Sequence, residues 1–210
     1  MLAGDALDSV LSVADQTLRT LFAPARSARW PDLPADDDTL TPGEKRHAAG
    51  LMRVNHAGEI AAQGLYRGQA AVSREPATRE FLERAANEEA DHLAWCESRL
   101  RELGARPSRL NALWYLGSFG LGAAAALLGD AVSLGFMTET EAQVEGHLAA
   151  HLDRLPAADR RSRKIVEIMK TEESGHGEAA QARGAAELPR PIPSLMRAAA
   201  RIMTGTAYWL

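Results

Sequence analysis

The chain has 210 residues, enough for one domain with a sizeable core and short for two full ones. Forty alanines stand against 12 valines and isoleucines together, which favours helix and argues against a sheet-dominated fold. The net charge of −4 speaks against a general nucleic-acid binder, and the single cysteine, Cys96, excludes an internal disulfide and every CxxC metal or redox site. Met1-Leu2-Ala3-Gly4-Asp5 has no basic or long apolar lead, so no secretory signal is expected.

Residues 2–22 place Leu2, Leu7, Val10, Leu11, Leu18 and Leu21 among polar residues, which reads as a loosely amphipathic helix. Residues 23–43 contain four prolines and the run Asp36-Asp37-Asp38 and read as a linker. The domain proper is expected over 44–210, behind an N-terminal segment of 1–43. Its first helix starts after Thr41-Pro42-Gly43-Glu44, a capping-box pattern with proline in the first turn, and runs to about Arg74.

Pro76 breaks that helix, and a second follows over about 77–103, ending near Gly104 and Pro107. Further helices are predicted over 109–129, 131–154, 159–186 with Asp159 as N-cap, and, after a proline-rich link over 188–193, 194–208. The stretch 110–129 holds 20 residues without a charge. Its leucines and aromatics are diluted by glycines and four successive alanines. Three placements suit it: a helix at a membrane interface, a buried crossover, or a membrane span.

An internal echo carries the chemistry. Glu88-Glu89-Ala90-Asp91-His92 and Glu172-Glu173-Ser174-Gly175-His176 both read Glu-Glu-x-x-His. Residues three apart share a helix face, so Glu89 with His92 and Glu173 with His176 can each present a carboxylate and an imidazole to one ion. Glu88 and Glu172, four residues before the histidines, leave a second choice open on geometry alone. Bundles that hold paired irons join two Glu-x-x-His motifs to one glutamate from each of two other helices. In a helical hairpin, residues equidistant from the turn lie at one height. Glu59 is then level with Glu89 about the break at Arg74-Glu75-Pro76, and Glu145 with Glu173 about a turn at Pro156 to Asp159. The predicted ligand set is Glu59, Glu89, His92, Glu145, Glu173 and His176. Four glutamates meeting without cations would repel and lose hydration, which itself argues for metal. His56, Tyr66 and His151 are candidates to support the ligands from behind, with ordinary packing as the alternative. His47 and His147 read as surface residues and Cys96 as a small core residue.

Leu51-Met52-Arg53-Val54-Asn55-His56-Ala57-Gly58-Glu59 resembles the first-ligand motif of the demethoxyubiquinone hydroxylases. Glu89-Ala90-Asp91-His92, Val144-Glu145-Gly146-His147 and Glu173-Ser174-Gly175-His176 sit where that family has its other ligands, and the resemblance covers about 45–210. It implies an all-α, ferritin-like four-helix bundle of duplicated hairpins, with an apolar crossover helix and a short C-terminal helix. It also implies a di-iron centre that uses O2 to hydroxylate the ring of a demethoxy polyprenyl-benzoquinone or quinol in ubiquinone biosynthesis, one oxygen atom entering the ring and the other leaving as water.

A polyprenyl substrate implies a peripheral position at the cytoplasmic face of the cell membrane, an electron donor, a lipid-presenting accessory protein and homo-oligomers among the partners, with no nucleic acid. The C-terminal Arg197, Arg201, Tyr208 and Trp209 offer a further interfacial anchor, with packing onto the bundle as the alternative. Competing readings are another ferritin-like di-iron protein (a ferroxidase or a peroxidase) and a helical membrane adaptor without metal. The lack of further cysteines disfavours a rubrerythrin-type peroxidase.

Overall fold

A computed structural model describes residues 3–35 and 39–210, with the side chains of 3–7, 9 and 10 left out. The expectations placed on Leu2, on the side chains of Leu7 and Val10, and on Asp36 to Asp38 lie outside the described residues. Among the described residues there are seven helices and no strand: α1 (Ala3–Phe22), α2 (Pro42–Val72), α3 (Pro76–Glu102), α4 (Asn111–Leu127), α5 (Asp130–Arg154), α6 (Arg160–Ala182) and α7 (Pro191–Ala207).

The chemistry of the helix ends accounts for these bounds. Thr41 and Glu44 form a reciprocal capping box, and Pro42 occupies the first turn of α2. Asp159 accepts from the Ser162 amide and starts α6. Helix α7 begins at Pro191, earlier than its predicted start at 194, because prolines in a first turn forgo only N–H groups that have no intrahelical partner. Helix α6 stops at Ala182, before its predicted end at 186. Gly184 there takes a positive φ of 91°, open to glycine and strained for other residues.

Helices α2/α3 and α5/α6 are two hairpins that together make a four-helix bundle, with α4 as the crossover. The Asp130 carboxylate at the start of α5 accepts from Ser73 Oγ and the Glu75 amide, tying the first hairpin's turn to the second hairpin. At the opposite end, buried Arg99 of α3 donates to Asp159 Oδ1 at 2.9 Å and to Ser162 Oγ at 3.0 Å. Two large clusters form the core. One gathers Leu51, Met52, Trp95, Cys96, Leu148 and Met169, the other Tyr66, Phe81, Leu82, Leu134 and Met137. Cys96 is accordingly a core residue.

The glycines of α4 and α2 explain the uncharged segment. A Cβ on Gly64 or Gly68 would run into the backbone carbonyl of Tyr115 or Phe119, and one on Gly122 into that of Leu65. Helix α4 therefore lies on α2 at backbone contact, while Leu113, Leu116, Leu121 and Leu127 point outward. No helix among the described residues is long and apolar enough to cross a membrane, which overturns the spanning alternative for 110–129. What remains is a half-buried crossover with one apolar face exposed.

Candidate metal centre

The centre sits at mid-bundle, one carboxylate-bearing turn from each of the four core helices. Glu59 comes from α2, Glu89 and His92 from α3, Glu141 from α5, and Glu173 and His176 from α6. Two overlapping clusters result: Glu59, Glu89, His92 and Glu173 in one, and Glu89, Glu141, Glu173 and His176 in the other. Within each, the donor atoms lie within 4.8 Å of one another. Glu89 and Glu173 belong to both. His92 Nδ1 lies 2.9 Å from Glu89 Oε2 and 3.1 Å from Glu173 Oε1, and His176 Nδ1 lies 3.4 Å from Glu173 Oε2.

Five of the six predicted ligand positions meet here: Glu59, Glu89, His92, Glu173 and His176. Glu145 does not. Its side chain is 41% exposed, with Lys170 Nζ 4.0 Å away, and Glu141, one turn earlier on α5, fills the place expected for it. The reason is the centre of the second hairpin. The link between α5 and α6 spans 155–159 and is centred on 157, so the residue level with Glu173 is 141. Centring that turn on 159 moved the match by one helical turn. The first hairpin is linked over 73–75, centred on 74, and Glu59 does face Glu89.

The supporting residues divide as well. Tyr66, fully buried, donates its hydroxyl to Glu141 Oε1 and so touches the cluster. His56 is buried on α2 one turn before Glu59, with Nδ1 lacking a partner, and burial pushes its pKa down to about 4. His151 is farther off. It is buried against His147, ring centroids 4.1 Å apart, and burial with the charges of His147 and Arg154 lowers its pKa to about 3. His147 is itself half-buried, and His47 bonds the Tyr208 hydroxyl and the Arg154 carbonyl, so neither is a free surface residue.

The electrostatics are those of an anionic cavity. Burial, with the charges of Glu173 and Glu89 beside it, holds Glu141 well above the usual carboxylate range. Glu59 is raised in the same way, burial outweighing its hydrogen bond with His92. Burial alone would depress both histidines. Hydrogen bonds donated to the surrounding glutamates outweigh it, holding His92 well above its ordinary value and pushing His176 up to about 12. Glu89 Oε1 is buried 3.2 Å from His176 Nδ1. The imidazolium charges thus occupy the place of cations. Four carboxylates and two imidazoles, with no thiolate, are a donor set suited to two first-row divalent ions such as iron or manganese.

Beyond each histidine stands an outer carboxylate. His92 Nε2 donates to Glu172 Oε2 at 2.9 Å, and His176 Nε2 donates to Glu88 Oε2 at 2.7 Å. The first glutamate of each Glu-Glu-x-x-His motif therefore serves the histidine of the other. Repetition of the motif shows the doubled glutamates, but only the antiparallel meeting of α3 and α6 reveals this exchange.

A four-helix bundle with a crossover between its hairpins and a carboxylate–imidazole core defines a ferritin-like protein. The family model described as ubiquinone biosynthesis protein COQ7 matches residues 46–207, and the chain belongs to that family. A protein of Variovorax paradoxus is 57% identical over 203 residues, covering 96% of this chain and 97% of its own length. One of Bordetella parapertussis is 56% identical over 206 residues, 97% and 93% of the two chains, and one of Chromobacterium violaceum is 53% identical over 203 residues, 96% and 98%. All three are named 3-demethoxyubiquinol 3-hydroxylase.

Proposed function

We propose that this chain is a 3-demethoxyubiquinol 3-hydroxylase, a di-iron monooxygenase that places one atom of O2 on the ring of a demethoxy polyprenyl quinol. The observation that carries the reading is the convergence of Glu59, Glu89, His92, Glu141, Glu173 and His176 inside the bundle, in a chain more than half identical to relatives of that name. Two iron ions would be held by these six side chains and would supply the reduction of dioxygen. Glu89 and Glu173, shared by both clusters, would help hold both ions of the pair. Glu59 with His92, and Glu141 with His176, would close its two ends. Glu59, Glu89, His92, Glu141 and Glu173 are all buried, which takes these ligands out of solvent.

The reading extends to the bilayer. A polyprenyl tail is insoluble in water, and the outward leucines of α4, with Leu195 and Ile202 of α7, give an apolar surface suited to peripheral contact with the cytoplasmic face of the cell membrane. The expected outcome is co-flotation with vesicles of bacterial phospholipid. A chain that stays at the bottom of the gradient would overturn the membrane part alone.

Anaerobic reconstitution with ferrous iron, followed by Mössbauer spectroscopy before and after oxygen, tests the centre. A pair of coupled ferric ions per chain is expected, and failure to retain iron would overturn the reading. Quinone extracts of cells lacking the protein should accumulate the demethoxy precursor. Normal ubiquinone with no precursor would overturn the substrate. Assembly into a soluble iron-filled shell would point instead to a ferroxidase.

A further inference from the structure

The two histidines of the centre are not held alike. Residues 23–34, the link after α1, cross α3 and α6 as a strap, and Arg29 is its anchor. Arg29 Nη1 and Nη2 donate to the two oxygens of Glu172 at 3.2 and 3.0 Å, and Arg29 Nε donates to Asp91 Oδ2 at 3.0 Å. Asp91 Oδ1 also accepts from Ser27 Oγ and the Ala28 amide, at 2.8 and 2.7 Å. Trp95 Nε1 donates to the Arg29 carbonyl at 2.7 Å, and its ring lies against that of His92 with centroids 5.1 Å apart. The strap is thus fixed to the helix turn that carries His92.

Glu172 stands between this strap and the metal ligand. It accepts from His92 Nε2, so a proton on Nε2 leaves Nδ1 as the nitrogen directed at Glu89 and Glu173. A planar guanidinium that grips both carboxylate oxygens fixes the orientation of the acceptor, and through it the tautomer and ring plane of the imidazole. The other half lacks this brace. Among the described residues no arginine reaches Glu88, the acceptor for His176. Glu88 is 51% exposed against 29% for Glu172, and His176 is 13% exposed against 0% for His92.

We propose that Arg29 is a positioning residue that makes the two halves of the centre unequal. Acting through Glu172, it fixes His92 so that the ion beside Glu59 and His92 binds more tightly and exchanges more slowly than the ion beside Glu141 and His176. The inference rests on the metal reading above. It gives the segment before the bundle a role in the chemistry of the site.

The test is a titration of the metal-free full-length chain with Co2+ under anaerobic conditions, followed by visible absorption, for wild type, Arg29→Ala, Arg29→Lys and Glu88→Gln. Wild type should fill in two phases with separable spectra. Arg29→Ala should weaken the tight phase by about 10- to 100-fold, the usual effect of losing a group that orients a ligand, and shift its absorption, while the weak phase stays. Arg29→Lys keeps the charge without the two-pronged grip and should recover part of the loss. Glu88→Gln should weaken the other phase. An Arg29→Ala chain with the wild-type affinity and spectrum overturns the proposal, as does a wild type whose two ions bind identically. A wild-type chain that takes up no Co2+ overturns the metal reading itself, a result distinct from either.

Discussion

Tyr66 of α2 donates its hydroxyl to Glu141 of α5 across the bundle, joining one hairpin to the carboxylate end of the other. Both residues are buried, and burial with the charges of Glu141, Glu89 and Glu173 keeps the phenol protonated far above the ordinary tyrosine range. The phenol is therefore a fixed donor. Tyr66→Phe keeps the ring packing and removes this one hydrogen bond, at a cost of about 1–3 kcal/mol to the folded chain because a buried acceptor loses its partner. The metal position lined by Glu141 and His176 should also weaken, by about tenfold. Calorimetry and metal titration of the variant check the two effects separately.

Glu141 and Glu145 are one turn apart on α5, yet one faces the core and the other reaches solvent near Lys170. Glu141→Ala should cost the centre an ion, lowering bound iron from a pair to one or fewer per chain, with turnover lost and helicity kept. Glu145→Ala should retain full iron and full activity. Elemental analysis of the two purified variants, with circular dichroism as the folding control, decides between the residues.

Much of the molecule was legible in the sequence, because helix stops are written in local chemistry. Pro76, the Thr41 box and the Asp159 cap act within a few residues of where they stand, so helix types and most ends follow from them. The repeated Glu-Glu-x-x-His motif is equally local. What failed was a distance between helices. Aligning Glu173 with α5 requires the centre of a five-residue link, and a two-residue error in that centre becomes a full turn on the facing helix. The Arg29 strap is invisible for a related reason. Arg29 and Glu172 are 143 residues apart, and nothing in a proline-rich link announces where it will lie.

The pH response of the metal-free chain follows from the raised pKa values. Hydrogen bonds with Glu173 and Glu89, overcoming burial, push His176 up to about 12 from an ordinary 6.5. A group that holds its proton more tightly when folded stabilises the fold fully below its unfolded pKa and loses that contribution as pH climbs toward the folded one. Glu59 and Glu141, raised chiefly by burial, lose theirs above their ordinary 4.5. His56 and His151, lowered by burial, favour the fold as pH rises only through their ordinary 6.5, so above about pH 7.5 the raised groups act alone and the melting temperature of the metal-free chain should fall toward pH 9. Metal replaces the protons, so the iron-loaded chain should show no such fall, and its affinity for iron should rise with pH. Thermal melts of both forms across that range test the sign. A metal-free chain that grows more stable toward pH 9 would contradict it.

The seam between α2 and α4 makes a sharper demand on side-chain size than the metal centre does. Gly68 and Gly122 let the two backbones meet, and a Cβ on either would strike a carbonyl of the facing helix rather than a movable side chain. Relief requires α4 to shift as a body, since Tyr115 and Phe119 on the same helix pack against Ile60 and Leu93. Gly122→Ala should therefore destabilise the chain by about 1–3 kcal/mol even though alanine is the better helix former. In a chain of this size that is roughly 2–4 °C of melting temperature per kcal/mol. Gly117→Ala, on the same helix where a Cβ would meet nothing, should be neutral or slightly stabilising. The contrast between the two variants, read in one calorimetric series, separates a close approach of backbones from a general intolerance of α4 to substitution.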